Sequence, residues 1–438
     1  MKHLILCILL LVGTKAYSQV QNQTDVIEPS AASMAKYGCY KVDYSTGLPS
    51  ITVPLHSIKS GELSLDLFLS YHGGGIKLNE DASWVGLGWD LFTGGSITRQ
   101  VNGLPDEFED LVNVTDANYV QNYIENNPND IGSLFITGKP QAQQDVYHFN
   151  IGGFSGTFVI DSTENPMVIP YSSIEIKGDP EGGFTVKTPD GIRYLFDGID
   201  RTEDLGRFTT DKIFYTTWAL SDIISSNATD TIHFVYQDDG WISNQAPVSS
   251  MGTQFTYEKD VLKSSSTIPA SYECKQTHAR SEKVKSITFK GGRILFQLDT
   301  RDDIYASRDI SCIESIEPRL KRLKYMDVEK LTQNGEYELF KRVTFNTSYF
   351  IADRLFNEPF INDKLHPDCL RLRLDSVSEV IYKDNSENMR DIASFSYYYD
   401  EKFAPKYSKC TDYWGYYNGK SSYTGIPIKY ISNPATSG

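Results

Sequence analysis

Apolar side chains in this chain recur at every second position over short stretches. Leu63, Leu65, Leu67 and Leu69 line one face of such a stretch, while Ser64, Asp66, Phe68 and Ser70 line the other. That is the period-two signature of a strand with one face packed. The pattern repeats with turn residues between its copies. Val186 on one side and Ile192, Tyr194 and Phe196 on the other flank Thr188-Pro189-Asp190-Gly191, where Asp-Gly supplies the positive φ of a tight hairpin. Ile287 and Phe289 meet Ile294, Phe296 and Leu298 across Lys290-Gly291-Gly292. Residues 323–328 pair with 339–345 around Asn334-Gly335, and residues 370–382 pair with 392–399. Successive hairpins of this kind predict a mostly β protein: an antiparallel β-sandwich followed by a β-hairpin meander sheet, with few short helices. A helical pattern occurs where Asp116 caps a turn carrying Val120, Tyr123 and Ile124 before Pro128 stops it.

The chain begins with Lys2, an unbroken apolar run over residues 4–12 and Ala16-Tyr17-Ser18 before Gln19, the layout of a signal peptide spanning residues 1–18. The run is too short to cross a bilayer, which takes about 20 apolar residues, and no later stretch approaches that length. Export by this signal, a mature start at Gln19 and an extracellular or cell-surface location are therefore expected, without a transmembrane anchor. Cys7 lacks the small preceding residue of a lipid-attachment site. The mature chain divides into a leading β segment (19–105), an acidic insertion or linker (106–140), a β domain completing the N-terminal sandwich (141–240), a polar, Ser-rich linker or insertion (241–283) and a C-terminal antiparallel β domain (284–438).

Charge removes one class of partner. The formal net charge of the 438 residues is −15, and loss of the leader with Lys2 and Lys15 takes it to −17. A surface this acidic repels phosphate backbones, so no nucleic-acid partner is expected. Cys39, Cys274, Cys312, Cys369 and Cys410 remain after cleavage, scattered and without a C-x-x-C pair. This is neither a zinc pattern nor a disulfide framework. Unpaired, singly buried thiols are the first reading and a single bridge the second.

The most informative stretch is residues 29–105. It runs from Pro29-Ser30-Ala31-Ala32 through Lys36-Tyr37-Gly38, Tyr44-Ser45-Thr46-Gly47-Leu48-Pro49 and Ile51-Thr52-Val53-Pro54-Leu55 to Ala82-Ser83-Trp84-Val85-Gly86-Leu87-Gly88-Trp89 and Gly94-Gly95-Ser96-Ile97-Thr98-Arg99. With Asp412-Tyr413-Trp414-Gly415-Tyr416-Tyr417-Asn418-Gly419 near the end, these blocks resemble, in order, the N-terminal region of the RHS/YD-repeat-associated proteins of Bacteroidetes. More distantly they are similar to the opening of insecticidal toxin-complex shell proteins. The resemblance implies a secreted structural module, with Trp84, Gly86, Gly88, Trp89, Gly94, Gly95, Arg99, Asp412, Trp414 and Gly415 as its structural motif. It implies as partner the rest of an RHS-like polypeptide, or a neighbouring shell or effector protein. The chain carries no YD repeats and no Asp-Pro-rich cleavage motif, so either a truncated entry to a longer product or a stand-alone leading module is expected, and not toxin delivery by this polypeptide.

Candidate chemistry is sparse. His72-Gly73-Gly74-Gly75 is similar to an esterase oxyanion loop, but Gly153-Phe154-Ser155-Gly156-Thr157 fails the G-x-S-x-G elbow at its last position. A glycine-rich bend between strands is the plainer reading. Trp84, Trp89, Trp241 and Trp414 could stack on sugars, though flanking glycines and apolar residues favour burial of the first two. Trp414, Tyr416 and Tyr417, in a Gly/Asn-rich loop, are the candidate ligand contacts of a rival reading as a surface adhesin or carbohydrate-binding module recognising surface glycans. Asp238-Asp239, Asp302-Asp303 and the run 106–110 lack the alternating spacing that wraps calcium and read as solvated acidic turns. The histidines never fall at metal-ligand spacing, and no phosphate-cradling loop occurs. No catalytic residue, metal ligand or cofactor site is named. A secreted hydrolase is the third and weakest class.

Overall fold

The computed structural model describes residues 41–43, 48–102, 105–106, 125, 144–161, 164–204, 213–258, 261–305, 319–352, 367–383, 386–397, 404–406, 410, 412 and 414–419. The signal peptide, the turn at Asp116 and nearly all of the 106–140 segment lie outside the described residues. The chain separates into two compact units, Met1–Pro49 and Ser50–Gly438. In the first, the described strand is β1 (Lys41–Asp43).

The strands of the second unit form two antiparallel sheets. The smaller has the order β2 (Leu48–Ser60), β3 (Leu63–His72), β4 (Trp89–Phe92). The alternation of leucines places Leu63, Leu65, Leu67 and Leu69 in the core, at most 5 % exposed. Leu55 and Ile58 from β2 and Leu91 from β4 join them.

The larger sheet has fifteen strands. They are β5 (Gly95–Gln100), β6 (Val146–Ile151), β7 (Phe154–Ile160), β8 (Pro166–Ile169), β9 (Glu175–Asp179), β10 (Gly183–Lys187), β11 (Arg193–Asp204), β12 (Ile213–Ile224), β13 (Thr231–Glu258), β14 (Val261–Phe289), β15 (Gly292–Tyr305), β16 (Arg319–Leu331), β17 (Tyr337–Ile351), β18 (Leu370–Lys383) and β19 (Ser386–Ser394). From one edge the order is β19-β18-β17-β16-β15-β14-β11-β12-β5-β6-β7-β8, with β9 and β10 attached at β11 and β13 pairing both β12 and β14. Apart from these strands the described elements include one 3-10 turn, Pro367–Cys369.

The hairpins read from turn residues are present. Val186 pairs with Tyr194 beyond Gly191, Ile287 with Ile294, and Met326 with Val343 beyond Gly335. The last hairpin differs from expectation, because β19 starts at Ser386 and not near residue 392. Its first six residues are exposed, as suits an edge strand, so no apolar alternation marks them.

Residues 241–283, read as a polar linker or insertion, are strand: they form most of the β13–β14 ribbon, paired from His233–Thr288 out to Glu258–Val261. A sequence this polar hides such a ribbon from any apolar pattern. The β domains expected on either side of it share this sheet, and one apolar cluster takes in Leu65, Phe149, Trp218, Ile287, Met326 and Val377 alike. The smaller sheet contributes to that same cluster. Trp218, fully buried, packs with Phe184 at 5.1 Å and Tyr147 at 5.7 Å between ring centroids. Burying aromatics of this size contributes roughly 2–3 kcal/mol each.

Candidate interaction site

Between β3 and β4 the chain makes a bend that its glycines permit. Gly86 takes a φ of +139°, and a Cβ there would lie 2.9 Å from the Leu374 backbone nitrogen. Only glycine allows that approach, and it brings the Leu87 N–H within 2.8 Å of the Leu372 carbonyl on β18. Gly88 meets the Tyr71 ring in the same way. Trp84 is buried against Phe296 at 6.1 Å, and its carbonyl accepts from the Leu323 N–H at 2.8 Å. Trp89, on β4, lies between Tyr71 and Phe395, 4.9 and 4.4 Å away. Its indole N–H donates to the Tyr397 hydroxyl at 2.9 Å, which donates in turn to the Leu374 carbonyl at 2.7 Å. Burial pushes the Tyr397 phenol up to about 12 against the opposing hydrogen bond from Trp89.

Gly94 and Gly95 carry the chain from one sheet into the other, with φ of +128° and +127°. A Cβ on Gly95 would run into the Asn150 carbonyl oxygen. Arg99, on β5, forms an ion pair with Asp145 in which both side chains are fully buried, with Nε 2.6 Å from Oδ2. Asp145 also accepts from the Asn102 N–H at 2.8 Å.

The C-terminal block returns to this bend. Asp412 Oδ1 accepts from the N–H groups of Trp414 and Tyr416, at 2.9 and 2.8 Å, which folds the loop on itself. The Gly415 carbonyl accepts from the Leu78 N–H at 3.1 Å, Tyr416 bridges to Lys77, and the Tyr416 hydroxyl donates to the Gly74 carbonyl at 3.2 Å. The His72-Gly73-Gly74-Gly75 bend thus serves as a seat for Tyr416. Trp414 stands 72 % exposed, whereas Tyr416 and Tyr417 are half-buried, the latter against Leu78, Ala404 and Cys410. Of the three candidate ligand contacts, Trp414 alone is open surface. Cys369 and Cys410 are buried.

Beneath the bend lies a set of buried charges that the sequence pattern did not single out. Arg301 on β15 clasps Asp303 through Nε at 2.7 Å and Nη2 at 2.8 Å, and donates to the carbonyls of Ser83 and Ala82 at 3.0 and 3.1 Å. Asp303 also accepts from the Leu372 N–H at 2.8 Å. Lys406 donates to the Asp303 carbonyl at 2.9 Å and to Asp81 at 2.8 Å, and Arg371 donates to the Leu78 carbonyl at 2.8 Å. Burial by itself would raise the Asp303 carboxyl, but hydrogen bonding and charge from Arg301, with Lys406 adding, hold it below the usual range. Burial lowers Lys406, with Asp81 and Asp303 opposing.

Two of the acidic pairs expected in solvated turns are placed differently. Asp303 is fully buried in a strand, and so is Asp239, which accepts from the Lys321 N–H at 2.9 Å. The available signal was Arg301 and Asp303 two apart on one strand face. What hid it is that their partners come from residues 82–83, 372 and 406. Chemically the set ties β15, β18, the bend and the C-terminal block to one another. Its acids and bases are spent on protein partners, so the arrangement fixes geometry.

No known protein-family model matches the chain, and no curated protein sequence does. Among solved structures it is similar to the TcdB2-TccC3 complex, at 11 % identity with a TM-score of 0.37, over 81 % of this chain and 16 % of that one. It is also similar to the TcdB2-TccC3-Cdc42 complex, at 12 % identity and a TM-score of 0.36, over 79 % of this chain and 15 % of that one. The N-terminal domain of effector protein SpvB from Salmonella typhimurium strain LT2 matches at 10 % identity and a TM-score of 0.34, over 79 % of this chain and 100 % of that domain. The chain thus spans less than a fifth of the first of these structures.

Proposed function

We propose that this chain is an exported, non-enzymatic structural module that forms the leading wall of an RHS-like β-shell. In this reading it works through packing and strand-edge contacts with the rest of such a polypeptide, or with a neighbouring shell or effector protein. One observation carries the reading: the meander runs as a single fifteen-stranded sheet and ends on an edge strand, β19, whose residues 386–391 are all exposed. A terminal strand offers backbone donors and acceptors along its outer side, which is the means by which a further strand is added. Its apolar Met389 is 75 % exposed. The ordered sequence blocks support the same reading, since the residues they share hold the bend, the C-terminal return and the crossing between sheets in place.

The test is to install a photo-crosslinking amino acid at Met389 and irradiate intact cells that export the chain. An adduct with a β-rich repeat polypeptide, found outside the cytoplasm, is expected. A chain that stays uncrosslinked, or that remains in the cytoplasm, overturns the reading. So does a purified chain that turns over an ester or glycoside panel.

A further inference from the structure

The outward face of the small sheet carries a cleft that the bend and its charge set leave unused. Its volume is about 530 Å³, and it is lined by Phe68, Ser70 and His72 of β3, Asp90 and Phe92 of β4, and Glu80 from the bend. Leu67, Leu69 and Leu91 alternate with these residues and point into the core, so the cleft occupies the face where a half-buried sheet ordinarily carries small polar groups. Two phenylalanines stand there instead. Their rings stack with centroids 4.8 Å apart and planes 19° from parallel, and both are half-buried.

The walls are acidic. Asp81, also on the lining, is paired with Lys406. Glu80 accepts the Lys77 N–H at 3.2 Å, and among the described residues neither Glu80 nor Asp90 stands in an ion pair. Asp90 keeps part of its surface exposed but lies down in the cleft, where desolvation raises its carboxyl against the Leu91 N–H and the charge of Lys283. Glu80, Asp81 and His72 share the cleft lining with it, and Lys283 is the cation whose charge acts on it. Among the described residues no three His, Cys, Asp or Glu side chains converge as a metal-ligand set, and a divalent ion such as calcium requires six or more oxygens. A neutral ligand would leave Glu80 and Asp90 without an ion-pair contact. An organic cation satisfies both halves of the site, because aromatic rings attract a cation and carboxylates accept charge-assisted hydrogen bonds from it.

We propose that this cleft binds an ammonium or guanidinium group on a carbon stem, with the stem against Phe68 and Phe92 and the N–H groups donated to Asp90 and Glu80. The inference does not depend on the shell reading, since the cleft belongs to the isolated chain and β19 takes no part in it.

Calorimetric titration of the purified chain with agmatine, and separately with an arginine-bearing hexapeptide, tests it. Saturable binding is expected that weakens at least tenfold in Asp90→Asn and in Glu80→Gln, weakens again between 50 and 500 mM salt as about one ion pair is screened, and tightens as pH rises through the Asp90 carboxyl. Phe92→Leu, which keeps the acids and the strand, is expected to weaken it several-fold, and the melting temperature of each variant shows whether the fold is intact. Equal affinity for agmatine and peptide marks a small-molecule ligand, while much tighter peptide binding marks a basic side chain of a partner; both support the cation site. Absence of binding, unchanged affinity in folded Asp90→Asn, or binding of a neutral sugar with the cations excluded overturns it.

Discussion

His56 lies half-buried beside Lys341 at the bulge of β2, and burial first, then the positive charge of Lys341, lowers its pKa from 6.5 to about 4. The native fold therefore holds a neutral imidazole, whereas the unfolded chain takes up a proton near pH 6.5. Stability from this source is complete above the unfolded value and is lost as pH falls from 6.5 toward 4, by an amount on the order of 3 kcal/mol. In His56→Gln the melting temperature should fall less steeply than in wild type between pH 7 and pH 4. Parallel declines would show that other groups govern acid unfolding. Nothing beside His56 in the sequence announces this, since Lys341 reaches it from β17, where its Nζ donates to the Leu55 carbonyl at 2.7 Å. Gly86 and Gly95 are the opposite case. At each, a Cβ would meet the backbone of a neighbouring strand, a demand that belongs to glycine itself.

At the level of elements, two kinds of ion pair hold strands together, and they differ in what they contribute. On the solvent side, Arg293 on β15 pairs with Glu329 on β16 at 2.5 Å and lies over the Tyr337 ring at 4.0 Å. Arg342 and Asp327 make a similar pair one strand further on. Partly exposed pairs of this type contribute about 0–1 kcal/mol. The Arg301–Asp303 pair is different, because both side chains are almost wholly buried and Lys406 depends on the same site. Asp303→Asn leaves Arg301 without its counter-charge in the interior, which costs roughly 3–5 kcal/mol. Glu329→Gln should cost about 1 kcal/mol or less. Denaturant unfolding of both variants checks the contrast, and equal losses would mean the buried set does not clamp the bend. Because the Asp303 carboxyl is held low, with burial outweighed by Arg301 and Lys406, its contribution is present above the unfolded carboxylate value and is lost as pH drops through the lower folded one.

For the whole molecule, one fifteen-stranded sheet takes in strands from both sides of the β13–β14 ribbon. Its continuity rests on β13 pairing with β12 at residues 231–233 and on β14 pairing with β11 at residues 277–280 and with β15 at 286–289. Outward of residue 277, toward the tip, the two ribbon strands pair, among the described strands, with each other alone. An isolated two-stranded ribbon is marginally stable by itself, so it draws on the body and gives little back. Replacing residues 248–273 with a two-residue Asn-Gly turn should leave the melting temperature within about 1 °C of wild type, roughly the shift that 1 kcal/mol produces in a unit of this size. A fall comparable to that of Asp303→Asn would show that the ribbon packs against the body.

Strand after strand was determined by the sequence itself. Period-two apolar alternation selects a strand with one buried face, and Asp-Gly or Asn-Gly between two such runs selects a hairpin, because both are local constraints that need no distant partner. β3, the β10–β11 hairpin and the β16–β17 hairpin follow from these alone. The polar ribbon and the exposed edge β19 carry no such alternation, and their strand state comes from backbone pairing with neighbours. The same holds for which charges are buried. Arg301, Asp303, Arg371 and Lys406 are ordinary polar letters until residues 82–83, 372 and 404–406 are packed around them, and desolvation with mutual pairing is a property of that packing, which no local window of the chain contains.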